Sequence, residues 1–382
     1  VLRAFASFGF CKAHGAAFAL PTYQSAWFKA HYPAAFLAGV LTHDPGMYPK
    51  RLILDDARGF DIPILGLDVN ASKETFVVEP VDVGADEKKG IRIALAQVKG
   101  ISDAEIESIL TQQPFHSLPD FITRAQVSAP ITERLILAGG FDALHGHYAS
   151  RRDLLFHFAQ FAKQFGLSKR ATSSQIALGS DFQSWIPTAS GLKPLTLADK
   201  VKYEIEILGL DVSAHVVSFY EPMLRELGAV PARDLLQVRS QGRVFVAGVK
   251  VATQTPPIRT GRRVAFVTLD DSTGPIDAAF FEEVQDRYAP TIFHSWLLLV
   301  QGTVRRTGPR GVSIQSEGCW ELGTIYQVWK DGGVAAVHEF IKPTPYDEDE
   351  PVAMTRMWEH ASGLQVSPYA DVVPAGSQGV GA

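Results

Sequence analysis

The spacing of apolar residues changes along this chain, and each change predicts a different kind of element. Ala16, Leu20, Tyr23, Trp27 and Ala30 recur at near-helical intervals, as on one face of a helix. Pro33 and Pro49 suit a first helical turn and predict helices over Ala34–Leu41 and Lys50–Arg58. Ile62-Pro63-Ile64-Leu65-Gly66-Leu67, bounded by Asp61 and Asp68, reads as a strand or extended connector. The charged stretch Gly84–Gly90 reads as a boundary. Beyond it Leu95, Val98, Ile101, Ile106, Ile109 and Leu110 give a helical pattern interrupted at Lys99-Gly100-Ile101-Ser102. Ser102 and Glu105 have the spacing of a capping box, in which each side chain satisfies an orphan N–H of the helix start. Helices are predicted over Thr132–Ala138 and Arg152–Phe165. Residues 166–199, rich in Ser, Thr, Gly and Lys, read as a linker. Residues 200–242 are helical again, with Gly209 and Gly228 as stops.

From Arg243 the period becomes two. Strands are predicted over 243–252, 262–270, 275–281, 296–305 and 312–322, with a helical piece, Glu282–Tyr288, between the third and fourth. That order is the outline of an OB-fold, a small Greek-key barrel. Past residue 342 the chain is rich in Pro, Gly and acid (Asp347–Glu350), which predicts disorder. The fold class expected is therefore multidomain: a mainly α N-terminal half followed by a β-barrel. No internal repeat is evident.

Composition narrows the function. With 382 residues and 46% hydrophobic content the chain can bury several cores. Its formal net charge of −5 excludes nucleic-acid binding through total charge, so any such binding must rest on local patches. Two cysteines at opposite ends of the chain give no disulfide framework and suit a reducing cytoplasm. No signal peptide is visible and no apolar run has the length of a membrane span.

Residues 8–33, FGFCKAHGAAFALPTYQSAWFKAHYP, pack aromatic, small and basic residues into one run. Its two Lys-x-His groups, Lys12-Ala13-His14 and Lys29-Ala30-His31, suit a surface that grips phosphate charge. Cys11 and His14 have the spacing of half a zinc site, but nothing completes four ligands, so no metal is expected here. Asp55-Asp56 and Asp270-Asp271 read as solvated pairs rather than converging carboxylates. Two barrel loops concentrate arginine: Arg259, Arg262 and Arg263 in the first, Arg305, Arg306 and Arg310 before the fifth strand. Those are the loops with which OB-folds hold single strands. Six phosphate contacts there would give a log–log salt slope of roughly −4, at about 0.7 per contact. Phe245, Phe266 and Trp296 offer aromatic faces but read as barrel core, as do Tyr23 and Trp27 for the helical half. Gln175-Ile176-Ala177-Leu178 partly matches a sliding-clamp-binding motif and lacks its closing aromatic residue.

The 8–33 run resembles the fingers segment of the bacterial C-family DNA polymerases, the type of the DNA polymerase III alpha subunit. Thr42-His43-Asp44-Pro45-Gly46-Met47-Tyr48-Pro49-Lys50-Arg51 is similar to their error-prone, translesion branch. So is Met357-Trp358-Glu359-His360-Ala361-Ser362-Gly363, with Glu359 interposed. The resemblance runs nearly continuously from residue 1 to about 322. It implies a remainder of the fingers over 1–90, a helix-hairpin-helix module over 91–165, a linker over 166–199 and an OB-fold over 243–322; the residue pattern adds a helical connector over 200–242 and a largely disordered tail over 323–382. It implies that Lys12 and His14 contact the incoming nucleotide, and that Lys99, Gly100, Ile101 and Ser102 form the DNA-gripping hairpin. Ser102 stands where the family's hairpin has a second glycine, and Gly59-Phe60-Asp61 and Gly66 also depart from the pattern.

No segment matches the family's palm, whose carboxylates hold the catalytic Mg2+, so a chain starting at Val1 within the motif is expected to be a fragment without that activity. The resemblance implies addition of dNTPs to a primer 3′-end in damage-induced translesion synthesis. Implied partners are DNA, dNTP, the sliding clamp and a mutasome including an inactive Y-family polymerase relative. The alternative expectation is a non-catalytic nucleic-acid-binding protein, a degenerate copy retaining only the binding modules.

Overall fold

The computed structural model describes residues 12–44, 46, 48–83, 86–164, 188–256, 264–306, 308, 311–342, 358–359 and 365–366. They fall into two compact units, residues 1–214 and 215–382.

The first unit opens with α1 (Lys12–His31), α2 (Pro33–His43) and α3 (Lys50–Gly59). Pro33 occupies the first turn of α2, as its spacing predicts. A three-stranded sheet follows, β1 (Ile64–Leu65), β2 (Val77–Val83) and β3 (Asp86–Arg92), with β3 central, parallel to β1 and antiparallel to β2. The boundary expected at residues 84–90 is thus corrected: β3 runs through it. Its charged residues suit an antiparallel pair whose outward positions meet water, and Arg92 is clamped onto Glu79 of β2 at 2.7 Å. Next come α4 (Asp103–Gln112), α5 (Leu118–Ala125), α6 (Ala129–Leu137), the short α7 (Asp142–His145), α8 (Arg151–Gln164) and α9 (Leu197–Leu208). One core joins α2 to α9, from Ala34 through Phe115, Phe121 and Phe141 to Leu210. The expected divisions at 90 and at 200 therefore do not separate cores. The helical connector expected over 200–242 divides instead: α9 packs into this unit, and the residues from His215 onward join the next.

The second unit leads through α10 (Glu221–Leu227) into a closed barrel of β4 (Arg243–Gln254), β5 (Ala265–Asp270), β6 (Pro275–Phe280), β7 (Leu297–Arg306) and β8 (Val312–Glu321), in the order β4-β5-β6-β8-β7. β7 closes onto β4 and β8 pairs parallel with β6. α11 (Glu282–His294) lies between the third and fourth strands, where the sequence puts it. This is the OB-fold expected from the period-two pattern. Alternating inward residues such as Val246, Val267, Ile276, Val300 and Ile314 fill its interior. Closure requires sharp bending at Gly302, where the ladder is bulged and an added Cβ would lie 2.3 Å from Gln315 O.

The tail expected from 323 onward is also corrected. α12 (Leu322–Phe340) packs Leu322, Ile325 and Val337 against Met223, Ala247 and Leu299. Apolar burial orders it despite the Gly332-Gly333 break, where Gly333 is non-helical. The Asp347–Glu350 stretch lies outside the described residues.

Candidate nucleic-acid interface

The hairpin between Val98 and Asp103 is built by three local constraints. Ile101 N donates to Val98 O at 3.1 Å, closing the turn, and Lys99 N donates to Ile207 O of α9 at 2.9 Å. Gly100 takes the left-handed conformation with φ +79, which glycine adopts without steric cost. Ser102 then caps α4, and the expected box forms: Ser102 N donates to Glu105 Oε2 at 3.0 Å, and Glu105 N to Ser102 Oγ at 3.3 Å. Lys99, Gly100 and Ser102 are exposed and Ile101 half-buried.

Glu105 does more than close this box. Its Oε1 accepts Ser128 N at 3.0 Å and Ser128 Oγ at 2.7 Å, so one carboxylate serves the start of α4 and the start of α6. Partial burial pushes its carboxyl up, but the hydrogen bonds from Ser128 and Ser102 outweigh it and hold the group below the usual carboxylate range. The preceding element is a short 3-10 turn, Leu95–Gln97, rather than a second full helix.

Sequence reasoning missed Arg134. From α6 its Nη1 donates to Lys99 O, laying the guanidinium across the hairpin. Nothing in the spacing pointed to it, because the contact joins residues 35 positions apart.

The nucleotide-facing candidates sit on α1. The side chain of Lys12 lies outside the described residues, while His14 is exposed and packs on Phe18 at 4.6 Å between centroids. Lys29 is paired with Asp56 at 2.6 Å and lies 5.5 Å from the Phe60 ring. Tyr23 and Trp27, expected in the core, are 69% and 41% exposed. The aromatic residues of α1 are spread around the helix instead of forming one stripe, so one neighbour cannot cover them all.

On the barrel, Arg305 is exposed at the end of β7. Its neighbour Arg306 instead donates to Leu236 O and, at 2.9 Å, to Val238 O, bracing the segment that leads into the barrel. Arg259, Arg262, Arg263 and Arg310 lie outside the described residues, as do Cys11 and Gln175-Ile176-Ala177-Leu178. Phe266 and Trp296, read as core, are 44% and 43% exposed. Phe266 takes an outward position of β5, between Gln254 and Ala279 of the flanking strands. Phe245 is half-buried, not in the barrel interior but on the outer face of β4 beneath α12.

The acidic pairs also differ from expectation. Asp55 and Asp270 are buried, not solvated. Asp55 accepts from Arg58, and Asp270 Oδ1 accepts Ser272 N at 2.9 Å. Asp211 is fully buried, and burial followed by the charge of Asp55 pushes its carboxyl up to about 6. No helix among the described residues is long and apolar enough to cross a membrane.

Known families match both halves. The helix-hairpin-helix motif matches residues 61–154, and the OB-fold nucleic acid binding domain matches residues 242–322. The chain is thus a helix-hairpin-helix unit followed by an OB-fold. It is similar to the error-prone DNA polymerase of Symbiobacterium thermophilum, with 32% identity over 76% of this chain and 30% of that protein. The error-prone DNA polymerase of Nocardia farcinica is 31% identical over 80% of this chain and 26% of its own length. The DNA polymerase III subunit alpha of Vibrio cholerae is 29% identical with the same coverage. The resemblance to the error-prone C-family polymerases read from the sequence therefore holds, and the two modules fit their C-terminal portion. The chain spans less than a third of the length of these relatives. Among solved structures, RecG bound to a three-way DNA junction covers 59% of this chain and 30% of its own, at 16% identity and a TM-score of 0.19, too low to carry an argument.

Proposed function

We propose that this chain is the DNA-holding portion of an error-prone DNA polymerase that adds dNTPs to a primer 3′-end during translesion synthesis. The observation that carries this is the succession, in one chain similar to such polymerases, of an exposed cationic hairpin (Lys99, Gly100) and a barrel with an outward aromatic residue (Phe266). The hairpin would hold duplex backbone by charge without reading bases. The barrel would carry a single strand by stacking and by its arginine-bearing loops. Lys12 and His14 would meet the triphosphate. The Mg2+ that activates the primer hydroxyl would be held by carboxylates of the polymerase segment that this chain does not span. The sliding clamp and mutasome proteins, including a Y-family relative, are the partners that this reading brings with it.

Primer extension and fluorescence anisotropy on the full chain test the reading together. The expected result is no nucleotide incorporation above background, with micromolar, salt-sensitive binding to primer–template and to single strands. Incorporation by this chain alone would overturn the placing of the chemistry. Binding that is absent at low salt would overturn the DNA-holding role.

A further inference from the structure

We infer that Arg134 is the phosphate-binding side chain of the hairpin, in place of the helix-start N–H groups that such hairpins normally offer. The inference rests on the reading of the hairpin as a duplex contact and names the group that makes it.

The start of α4 already has its anion. Ser102 N–H is committed to Glu105 Oε2 at 3.0 Å, Ser102 O–H donates to the same oxygen at 2.8 Å, and the other carboxylate oxygen takes both donors of Ser128. A phosphate approaching there would meet a negative charge where a bare helix start presents a positive dipole. Lys99 and Arg134 bring cationic groups to the turn. Lys99 is an exposed point charge on the hairpin itself. Arg134 is half-buried, and among the described residues its hydrogen-bond partner is Lys99 O.

That contact uses one of the five N–H groups of a guanidinium and fixes the plane of the rest. A planar fork held in place matches two phosphate oxygens, which an ammonium cannot do. Gly100 makes the arrangement possible. A Cβ at this position would lie 2.6 Å from Arg134 Nη1, so a side chain there would displace the guanidinium as well as strain a backbone with φ +79. The glycine thus serves the arginine rather than a direct approach of backbone to phosphate. Ser102 in place of the family's second glycine then costs nothing in binding, because that position is occupied by the cap.

The test measures anisotropy of the full chain with a blunt-ended labelled duplex from 50 to 200 mM salt (about half a decade in affinity per phosphate contact), for Arg134→Gln, Arg134→Lys and Lys99→Ala. Arg134→Gln is expected to weaken duplex binding about tenfold and to reduce the salt slope by about 0.9, one phosphate contact. Arg134→Lys is expected to keep the slope and lose about threefold in affinity, as charge is retained without the fork. Should Arg134→Gln fail to fold, Arg134→Lys decides the matter. Parental affinity in both arginine variants, with a loss in Lys99→Ala, would overturn this inference and leave the hairpin reading intact. Parental affinity in all three would overturn the hairpin reading itself.

Discussion

Glu105 and Ser128 lie 23 positions apart, yet the carboxylate of the first accepts both the amide and the hydroxyl of the second, at 3.0 and 2.7 Å. The start of α6 is therefore fastened to the start of α4 through the same side chain that completes the Ser102 box. Replacing a single cap residue costs roughly 1 kcal/mol. Glu105→Ala removes the partner of two helix starts and should destabilise the helical unit by about 2 kcal/mol, against about 1 for Ser128→Ala. Urea unfolding followed by circular dichroism checks this; equal losses in the two variants would show that the bridge adds nothing to a single cap.

His145 sets an acid limit on the same unit. Its Nε2 accepts Leu118 N at 2.9 Å at the start of α5, leaving Nδ1–H to face Tyr148 Oη at 2.6 Å. Burial lowers its pKa to about 4 from the ordinary 6.5. The native state therefore keeps a neutral ring while the unfolded chain takes up a proton below pH 6.5. This stability is fully present above that pH and is lost as pH falls through 4, on the order of 3 kcal/mol. Thermal unfolding between pH 7.5 and 4 should show the decline, and His145→Gln should flatten it.

Asp211 acts with the opposite sign. Its carboxyl is raised from 3.8 to about 6, and neither oxygen has a hydrogen-bond partner among the described residues. The folded state holds a proton that the unfolded chain releases, so its contribution is present below pH 3.8 and is lost as pH rises through 6. Asp211→Asn, which cannot ionise, should stabilise the protein at pH 8 by on the order of 3 kcal/mol and leave it unchanged at pH 3.5. Equal effects at both pH values would place the gain in packing and not in charge.

Arg151 shows how much of the unit depends on one buried cation. It is 7% exposed, grips Asp142 at 2.7 Å, donates to Leu137 O at 2.8 Å and lies 4.0 Å from buried Glu204. Removing one partner of a buried ionic group leaves the other uncompensated, at roughly 3–5 kcal/mol. Arg151→Met should cost that much, and adding Glu204→Gln should recover part of it. A fully additive pair would deny the coupling.

The sequence made the barrel legible because each strand buries one face, so the period of two survives from Val244 to Ile314. The prolines opening α2 and α3, and the Ser102–Glu105 spacing, are equally local signals. What stayed hidden depends on distant neighbours. The β2–β3 hairpin is too charged to display a buried face, and its pairing with β1 is long-range. α12 is interrupted by Gly333, and only packing against Met223 and Leu299 reveals it as ordered. An aromatic residue at a periodic position does not say whether another element covers it, so Trp27 and Phe266 read as core and proved exposed. Arg134 reads as an ordinary helical cation until the turn it crosses is folded beside it.

Phe266 gives the barrel its sharpest test. It stands outward on β5, opposite Ala279, and one residue pair along the same face Asp277 Oδ1 accepts Thr268 Oγ1 at 2.9 Å. A base stacked on the ring gains about 1–3 kcal/mol, whichever base it is. Phe266→Ala should therefore weaken binding to oligo-dT by between about five- and hundredfold. The salt slope should stay constant, because no phosphate contact is lost. Duplex affinity should be unaffected, since stacking requires unpaired bases. Asp277→Asn should tighten single-strand binding modestly by removing a like charge from the strand's path. Charge reversal of Arg262, Arg263 and Arg305 should flatten the salt slope and leave the stacking increment intact. Arg306 is unsuited to that experiment, because losing its bonds to Leu236 and Val238 would loosen the barrel. Unchanged oligo-dT affinity in Phe266→Ala would remove this face from the DNA path and leave the loops as the barrel's remaining contact.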